Sequence, residues 1–235
     1  MSYTMTRLID TEQDLEEGLA ALATLDPRFG AIRQRAGTPP LRRRPGGFAG
    51  LMSIVVSQQL STASAAAIWG RLSAAFDPFD PASVRRARTI KLQRIGLSAP
   101  KIRTLKAIAK AVDSGAVDFD ALASMSADEA HNALTALHGI GPWTADIYLL
   151  ACLGHADAWP AGDLALQEAS RLAFALPARP NNKEMIPLAE PWRPWRGVAA
   201  RLLWAYYRAA KGREAAPTQP TNGDKDGGRA RRSAA

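Results

Sequence analysis

The amino-acid sequence predicts an all-α protein. Three observations support this: apolar residues recur at helical spacing along most of the chain, strand-like alternation is nearly absent, and turns rich in proline and glycine separate the periodic segments. At 235 residues, of which 47% are hydrophobic, the chain is long enough to bury a substantial core. The periodic segments cover residues 14–25, 50–76, 101–112, 127–137, 144–153, 164–176 and 198–210.

Turn sequences mark the ends of these predicted helices in chain order. DPRFG and TPPLRRRPGG follow the first segment, and FDPFDP and GLSAP follow the second. HGIGP separates the fourth segment from the fifth, WPAGD precedes the sixth, and LPARPNN and EPWRPW precede the seventh. Proline and glycine at such positions end one helix and open the next. Residues 213–235 lack aromatics, leucine and any helical period, which predicts a disordered tail.

Charge and cysteine content restrict the class of protein. A formal net charge of +8 and a pI near 10.1 favour a polyanionic partner such as nucleic acid, with a solvated basic surface as the alternative. We expect the run Arg42–Arg44 to lie in a solvated loop. The single cysteine, Cys152, excludes an intrachain disulfide and a multi-cysteine zinc or iron–sulfur site. The sequence lacks a secretory or membrane-spanning apolar run, so we expect a cytoplasmic protein.

The turn at HGIGP carries a second signal. Gly139 and Gly141 permit a positive φ and leave the backbone bare, so the N–H groups of the turn can approach an anion closely. Pro142 suits the first turn of the next helix, whose N-terminus also favours a phosphate, and Thr144 adds a hydroxyl donor. The alternative is an ordinary corner between two helices, with Ile140 in the core.

The hairpin and the residues after it resemble the helix-hairpin-helix DNA glycosylases. The signature of that superfamily is L-x-G-I-G-x-(W or K)-T-A, followed by an aspartate. It matches Leu137, Gly139, Ile140, Gly141, Trp143, Thr144, Ala145 and Asp163. Segments 54–72, 96–109, 157–169 and 192–207 look like segments of the alkylation-repair branch, 3-methyladenine DNA glycosylase II, in the same order.

The resemblance implies a two-lobed helical fold. Residues 48–155 would form one lobe, with a wedge loop and the hairpin. Residues 156–212, with the aspartate and the last helix, would form the second lobe together with N-terminal helices in residues 1–47. The N-terminal β-rich domain of some relatives is expected to be absent.

The resemblance also implies a reaction. Members with lysine at the position of Trp143 form a Schiff base and cut the strand, so tryptophan implies simple hydrolysis of the N-glycosidic bond without lyase activity. Asp163 matches the catalytic aspartate, and an N-cap for the helix starting at Leu164 is its alternative role. The expected substrates are alkylated purines in duplex DNA, chiefly 3-methyladenine and also 7-methylguanine.

Further site residues follow from the same resemblance. Trp143, Trp204 and Tyr207 are expected to line the base pocket. Gln58, Gln59, Leu60 and Ser61 form the wedge loop, with Gln59 at the position of the inserted residue. Capping or bridging of helices is the alternative role for Gln58 and Ser61. The candidates for phosphate contacts are Lys101, Arg103, Lys106 and Arg201.

The expected partner is double-stranded DNA that contains damaged bases, bound by a monomer of bacterial type that is nucleoid-associated when it acts on DNA. No cofactor, catalytic metal or iron–sulfur cluster is expected, although the hairpin backbone of relatives often binds a monovalent cation. Two alternatives stay open: a noncatalytic module that binds damaged DNA, and a glycosylase for deaminated bases.

Overall fold

The fold is helical throughout the described part of the chain, residues 6–212 of a computed structural model. The helices are α1 Glu12–Leu25, α2 Arg28–Ala36, α3 Gly47–Ser57, α4 Thr62–Ala74, α5 Pro81–Arg86, α6 Thr89–Ile95, α7 Ala99–Asp113, α8 Phe119–Ser124, α9 Ala127–Thr135, α10 Pro142–Tyr148, α11 Leu164–Ala173, α12 Asn182–Ala189 and α13 Arg196–Ala210. A π-helical turn at Leu149–Leu153 extends α10, and a 3₁₀ turn at Glu190–Trp192 follows α12. The all-α prediction is confirmed. The predicted tail, 213–235, lies outside the described residues.

Side-chain caps fix where several helices begin. At α1 the Thr11 hydroxyl accepts the N–H of Asp14, and the Asp14 carboxylate accepts the N–H of Thr11, which is a capping box. Ser126 and Glu129 form the same reciprocal pair at α9. Each box satisfies two backbone donors that a helix start otherwise leaves free. The starts are therefore set by short-range sequence signals.

The segment predicted as one helix over 50–76 is two helices, so that boundary was wrong. α3 ends at Ser57, and Gln59 adopts a left-handed backbone with φ of 56°. Ser61 then caps α4 by accepting the N–H of Ser64. The periodicity missed this break because apolar residues continue on both sides of it. Short helices at α2, α5, α6, α8 and α12 were also missed, since a helix of six to nine residues displays too little of the period.

The helices pack as two groups around a continuous hydrophobic cluster. α13 packs against α1, α2 and α11, whereas α3 packs against α4, α7 and α10, and α5 lies on α7. The predicted boundaries of the two lobes agree in outline with these two groups of helices. The exact boundaries remain a prediction. Among the helices of residues 6–212, none is both long and apolar enough to cross a bilayer.

A nearly buried arginine ties the two groups together. Arg196, whose side chain is 8% exposed, donates from Nε and Nη2 to the two carboxylate oxygens of Asp157, both at 2.8 Å. Its Nη2 also lies 3.2 Å from Oδ1 of Asp128 on α9. The guanidinium fork satisfies both carboxylates at once. The start of α13 is thereby held against the first helix of the hairpin.

Candidate active site

Asp163 lies at the start of α11, where the WPAGD turn ends. Its Oδ1 accepts the N–H of Leu166 at 2.8 Å, so the carboxylate caps the helix as the alternative prediction stated. The side chain is half-buried. The cap fixes the carboxylate against the positive end of the helix dipole, which stabilises its negative charge.

Two indole rings complete the surroundings of this carboxylate. Trp143 Nε1, in the first turn of α10, donates to Oδ2 of Asp163 at 2.9 Å, and Trp204 Nε1, on α13, donates to Oδ1 at 3.0 Å. Both rings are half-buried. Asp163 takes part in none of the ion pairs found in residues 6–212, so all three hydrogen bonds come from neutral N–H donors. The three hydrogen bonds fix the position of the carboxylate, and no cationic side chain in residues 6–212 forms an ion pair with it.

Two cavities share Trp143 as a wall. An open cleft of about 570 Å³ exposes Asp163 and is lined by Gln58, Gln59, Trp143, Thr144, Gly162, Leu164 and Ala165. A second cavity of about 330 Å³ is lined by Trp143 and Trp204. Tyr207 lines neither cavity; it lies on α13 beyond Trp204, with the Lys211 ammonium 6.0 Å above its ring. The structure therefore brings Trp143, Trp204 and Asp163 together and leaves Tyr207 out.

The hairpin glycines have different roles. Gly139 has a φ of 81°, and a Cβ there would stand 2.0 Å from Oγ1 of Thr104, so only glycine fits. Gly141 has an ordinary φ of −88°, so Gly139 alone of this pair uses the positive φ that glycine permits at both positions. A Cβ on Gly141 would meet nothing within 4 Å, so that side of the turn is open to a ligand. Ile140 is buried, as the core alternative stated.

Thr144 does not face a phosphate, which corrects another expectation. It is 3% exposed, and its Oγ1 accepts the side-chain N–H of Gln58 at 2.7 Å. Gln58 thus bridges the wedge loop and α10, and Ser61 caps α4, so the alternative roles of both residues are confirmed. Gln59 and Leu60 are left exposed at the tip of the loop, and Leu60 is 39% exposed.

Two basic residues expected at phosphates are used inside the protein instead. Lys101 Nζ donates to the carbonyls of Val56 and Gln58 at 2.7 and 2.8 Å, and burial lowers the pKa of this lysine. The guanidinium of Arg201 donates to the carbonyls of Leu41 and Leu150, and burial lowers its pKa to about 10. Lys101 supports the wedge loop, and Arg201 fastens the loop before α3.

The two indole N–H groups allow a test of the catalytic role expected for Asp163. We expect Trp143→Phe and Trp204→Phe each to lower the rate of the chemical step roughly ten- to a hundredfold, since a hydrogen bond to a charged group contributes about 1.5–3 kcal/mol. The single-turnover rate of base release from damaged duplex DNA measures this effect. Trp69→Phe is the control, because Trp69 is a half-buried indole packed on Phe79. Equal rates in all three variants would show that the N–H groups are unimportant.

The two helices of the hairpin are also joined by a histidine–aspartate pair. His131 Nδ1 on α9 lies 2.8 Å from Oδ1 of Asp146 on α10. This hydrogen bond raises the pKa of His131, and burial raises the pKa of Asp146, while Asp128 and Arg196 face the same pair. The folded state therefore binds protons at this pair more tightly than the unfolded state.

The pair makes stability depend on pH in a defined direction. A histidine whose pKa is raised by folding adds stability that is complete below its unfolded pKa of 6.5 and is lost as pH rises through the folded value. We expect the free energy of unfolding to fall above pH 6.5, and His131→Gln to flatten this dependence. Urea unfolding at a series of pH values from 6 to 9 would measure it. An unchanged slope in His131→Gln would refute the assignment.

Comparison with known proteins places this geometry in a family. Residues 52–194 match the model of the HhH-GPD superfamily base excision DNA repair proteins. The probable bifunctional transcriptional activator/DNA repair enzyme AlkA of Mycobacterium tuberculosis is 30% identical over 84% of this chain, which spans only 41% of that relative. DNA-3-methyladenine glycosylase 1 of Schizosaccharomyces pombe is 33% identical over 66% of this chain and 69% of its own length.

A solved structure agrees with these matches. The 3-methyladenine DNA glycosylase of Schizosaccharomyces pombe, in complex with abasic DNA, superposes with a TM-score of 0.71 at 29% identity, covering 80% of this chain and 95% of that one. The matched residues include the wedge loop, the hairpin, Trp143 and Asp163. The chain therefore belongs to the HhH-GPD superfamily of base excision DNA repair proteins.

Proposed function

We propose that this chain is a monofunctional DNA glycosylase that removes alkylated purines, chiefly 3-methyladenine and also 7-methylguanine, and leaves an abasic site. One observation carries the proposal: the Asp163 carboxylate is fixed by three neutral N–H donors in an open cleft whose wall is Trp143. The name of the fission-yeast relative and the abasic DNA bound in its structure support the substrate class.

The geometry accounts for hydrolysis without a second acid. The C1′–N bond breaks, its electron pair goes to the base, and positive charge develops on the sugar, where the fixed charge of Asp163 stabilises it. Water adds its oxygen to C1′ and gives its proton to Asp163 or to solvent. An alkylated purine that carries a positive charge departs as a neutral base, so it needs no proton from the protein.

The side chain of Trp143 decides the outcome of the reaction. An indole cannot form a Schiff base with C1′, so the DNA strand stays intact. The proposal requires no cofactor and no catalytic metal, and it assigns the work to a monomer. The indole faces of Trp143 and Trp204 offer an extruded base stacking and cation–π contact.

DNA contacts follow from the two exposed features beside the cleft. Gln59 and Leu60 stand at the tip of the wedge loop, where they would fill the gap left by an extruded nucleotide. The open side of Gly141 and the N-terminus of α10 would receive a backbone phosphate. Both contacts leave the extruded sugar facing the cleft that contains Asp163.

The test is base release from methylated duplex DNA. We expect free 3-methyladenine and 7-methylguanine in the soluble fraction, measured by chromatography, together with abasic sites in the DNA. Release of deaminated bases without release of either methylated purine would favour the alternative glycosylase activity. Salt-dependent binding to damaged duplex without release of any base would refute the proposal and favour the noncatalytic module.

A further inference from the structure

The cavity behind Trp143 has a basic wall that the proposed function does not explain. Its volume of about 330 Å³ lies at the lower end of the range for small-molecule sites, about 300–1,000 Å³. Besides the aromatic wall made by Trp143 and Trp204, four arginines line it: Arg42 and Arg44 from the loop before α3, and Arg201 and Arg208 from α13. Arg201 already donates to two backbone carbonyls, which leaves the other three. Arg42 and Arg44 are exposed in a loop, as expected for the arginine run, and they also border this cavity.

The loop that carries these arginines is fastened to the helices behind it. Buried Arg201 donates to the carbonyls of Leu41 and Leu150, and the N–H of Arg44 donates to the carbonyl of Ala151 at 2.9 Å. Arg43 points elsewhere and pairs with Asp10 at 2.9 Å. Because the backbone is held on both sides of Arg42, the wall is part of the folded structure.

The guanidinium groups of Arg42, Arg44 and Arg208 are free to bind a ligand. None of the ion pairs within residues 6–212 involves Arg42, Arg44 or Arg208, whereas Arg43 between them is paired. Arg42 and Arg208 line the same cavity, and burial together with the charge of Arg42 lowers the pKa of Arg208. Two cations that share one cavity repel each other, and an electron-rich oxygen between them would relieve the repulsion.

We propose that Arg42 and Arg208, with Arg44 beside them, form a subsite for the carbonyl oxygen of the extruded base. The subsite rests on the proposed function and extends its substrate range: the arginines promote release of purines with a carbonyl oxygen, such as 7-methylguanine and hypoxanthine, and contribute nothing to release of 3-methyladenine and ethenoadenine, which have none. Arginine N–H donors match this acceptor: hypoxanthine offers O6 and N7 together to the guanidinium fork, whereas 7-methylguanine, methylated at N7, offers O6 alone. Trp143 and Trp204 hold the ring of the base by stacking.

The same contacts would assist departure of a neutral base. When hypoxanthine leaves, the electron pair of the broken C1′–N9 bond places negative charge on the base, and part of it resides on the carbonyl oxygen. Arginine donors stabilise this charge as it develops. Water adds its oxygen to C1′, and the proton it releases ends on the departed base, so the products are neutral hypoxanthine and an abasic site.

The experiment compares base release by the native chain and by the double variant Arg42→Gln/Arg208→Gln. The substrates are duplexes with one hypoxanthine or one ethenoadenine, and methylated DNA that contains both methylated purines. We expect single-turnover release of hypoxanthine to fall about tenfold or more, because a bidentate arginine contact discriminates by that amount. Release of 7-methylguanine should fall by a smaller factor, because only its O6 accepts. Release of ethenoadenine and 3-methyladenine should change less than about twofold.

Two controls separate a base subsite from a phosphate contact. Arg35→Gln removes one charge from an exposed position at the end of α2, outside the cavity, and should alter none of the rates. Affinity for a duplex with an abasic-site analogue, which has no base, should be the same in the double variant and the native chain. Weaker binding of that duplex with an equal fall for all four bases would assign the arginines to phosphates and overturn the subsite.

The remaining outcomes are also decisive. Unchanged release of all four bases by the double variant would show that the arginines do not contact the base. If the native chain released no base from any duplex, the proposed function would fail first, and the subsite with it. If the native chain releases bases but the effect of the double substitution does not distinguish purines with a carbonyl oxygen from purines without one, the subsite alone is refuted and the proposed function stands.

Discussion

Replacing Asp163 with asparagine is expected to lower the single-turnover rate of base release by about 100- to 1,000-fold, the range seen when one preorganised electrostatic group is removed. Asparagine has the same shape and also caps helices well, so α11 should keep its start at Leu164. The negative charge is lost, and an amide nitrogen facing the Trp143 N–H cannot accept its hydrogen bond. The rate should fall while the fold and the affinity for damaged duplex persist.

A matched variant separates the charge from the cap. Asp118 caps α8 by accepting the N–H groups of Asp120 and Ala121, at 2.9 and 3.3 Å, and it is exposed. Asp118→Asn makes the same chemical change at a helix start outside the cleft, so its release rate should equal the native rate. Native release by the Asp163→Asn variant would show that the carboxylate serves only as a cap.

The second large effect is expected at Gly139. A residue with a Cβ would be strained at φ of 81° and would also clash with Oγ1 of Thr104 at 2.0 Å. A left-handed backbone costs about 1–2 kcal/mol and overpacking about 1–3 kcal/mol, so Gly139→Ala should lose roughly 2–5 kcal/mol of the free energy of unfolding. Urea unfolding measures the loss.

Gly141→Ala is the companion variant, with the opposite pattern expected. The added methyl meets no protein atom within 4 Å and the backbone is not strained, so stability should change by less than about 0.5 kcal/mol. The methyl would instead keep a phosphate from the N-terminus of α10, and affinity for duplex DNA should fall, measured by fluorescence anisotropy. Equal losses of stability in both variants would contradict the different roles of the two glycines.

The sequence was most informative where signals are local. The helical period and the hairpin glycines each act within a few residues, and they predict the longer helices and the turn before Trp143 correctly, whereas the break inside 50–76 and five short helices escape the period. Asp163 lies within the same continuous motif. The hydrogen bond from Trp204 to Asp163 joins residues 41 apart, and no spacing rule predicts such a contact.

Polar residues on the boundary between surface and core could not be assigned from sequence. Thr144, Lys101 and Arg201 have side chains suited to phosphate, yet the fold uses all three to satisfy internal groups. Arg42 and Arg44 are exposed, as predicted, but neighbouring residues give no sign that Arg201 on α13 pins their loop beside a cavity. The same residue type can donate to a group inside the protein or to DNA, and the sequence does not show which. Only the burial of the side chain in the folded structure separates the two roles.

The central claim is that a fixed carboxylate and two indoles, without a lysine nucleophile, hydrolyse the glycosidic bond. The most direct measurement is product analysis of a duplex with a single 7-methylguanine under single-turnover conditions, with borohydride present in a parallel sample. The account predicts free 7-methylguanine, a strand that breaks only after alkali, and no borohydride-trapped complex. A trapped covalent complex with spontaneous strand cleavage, or tight binding with no free base, would contradict it.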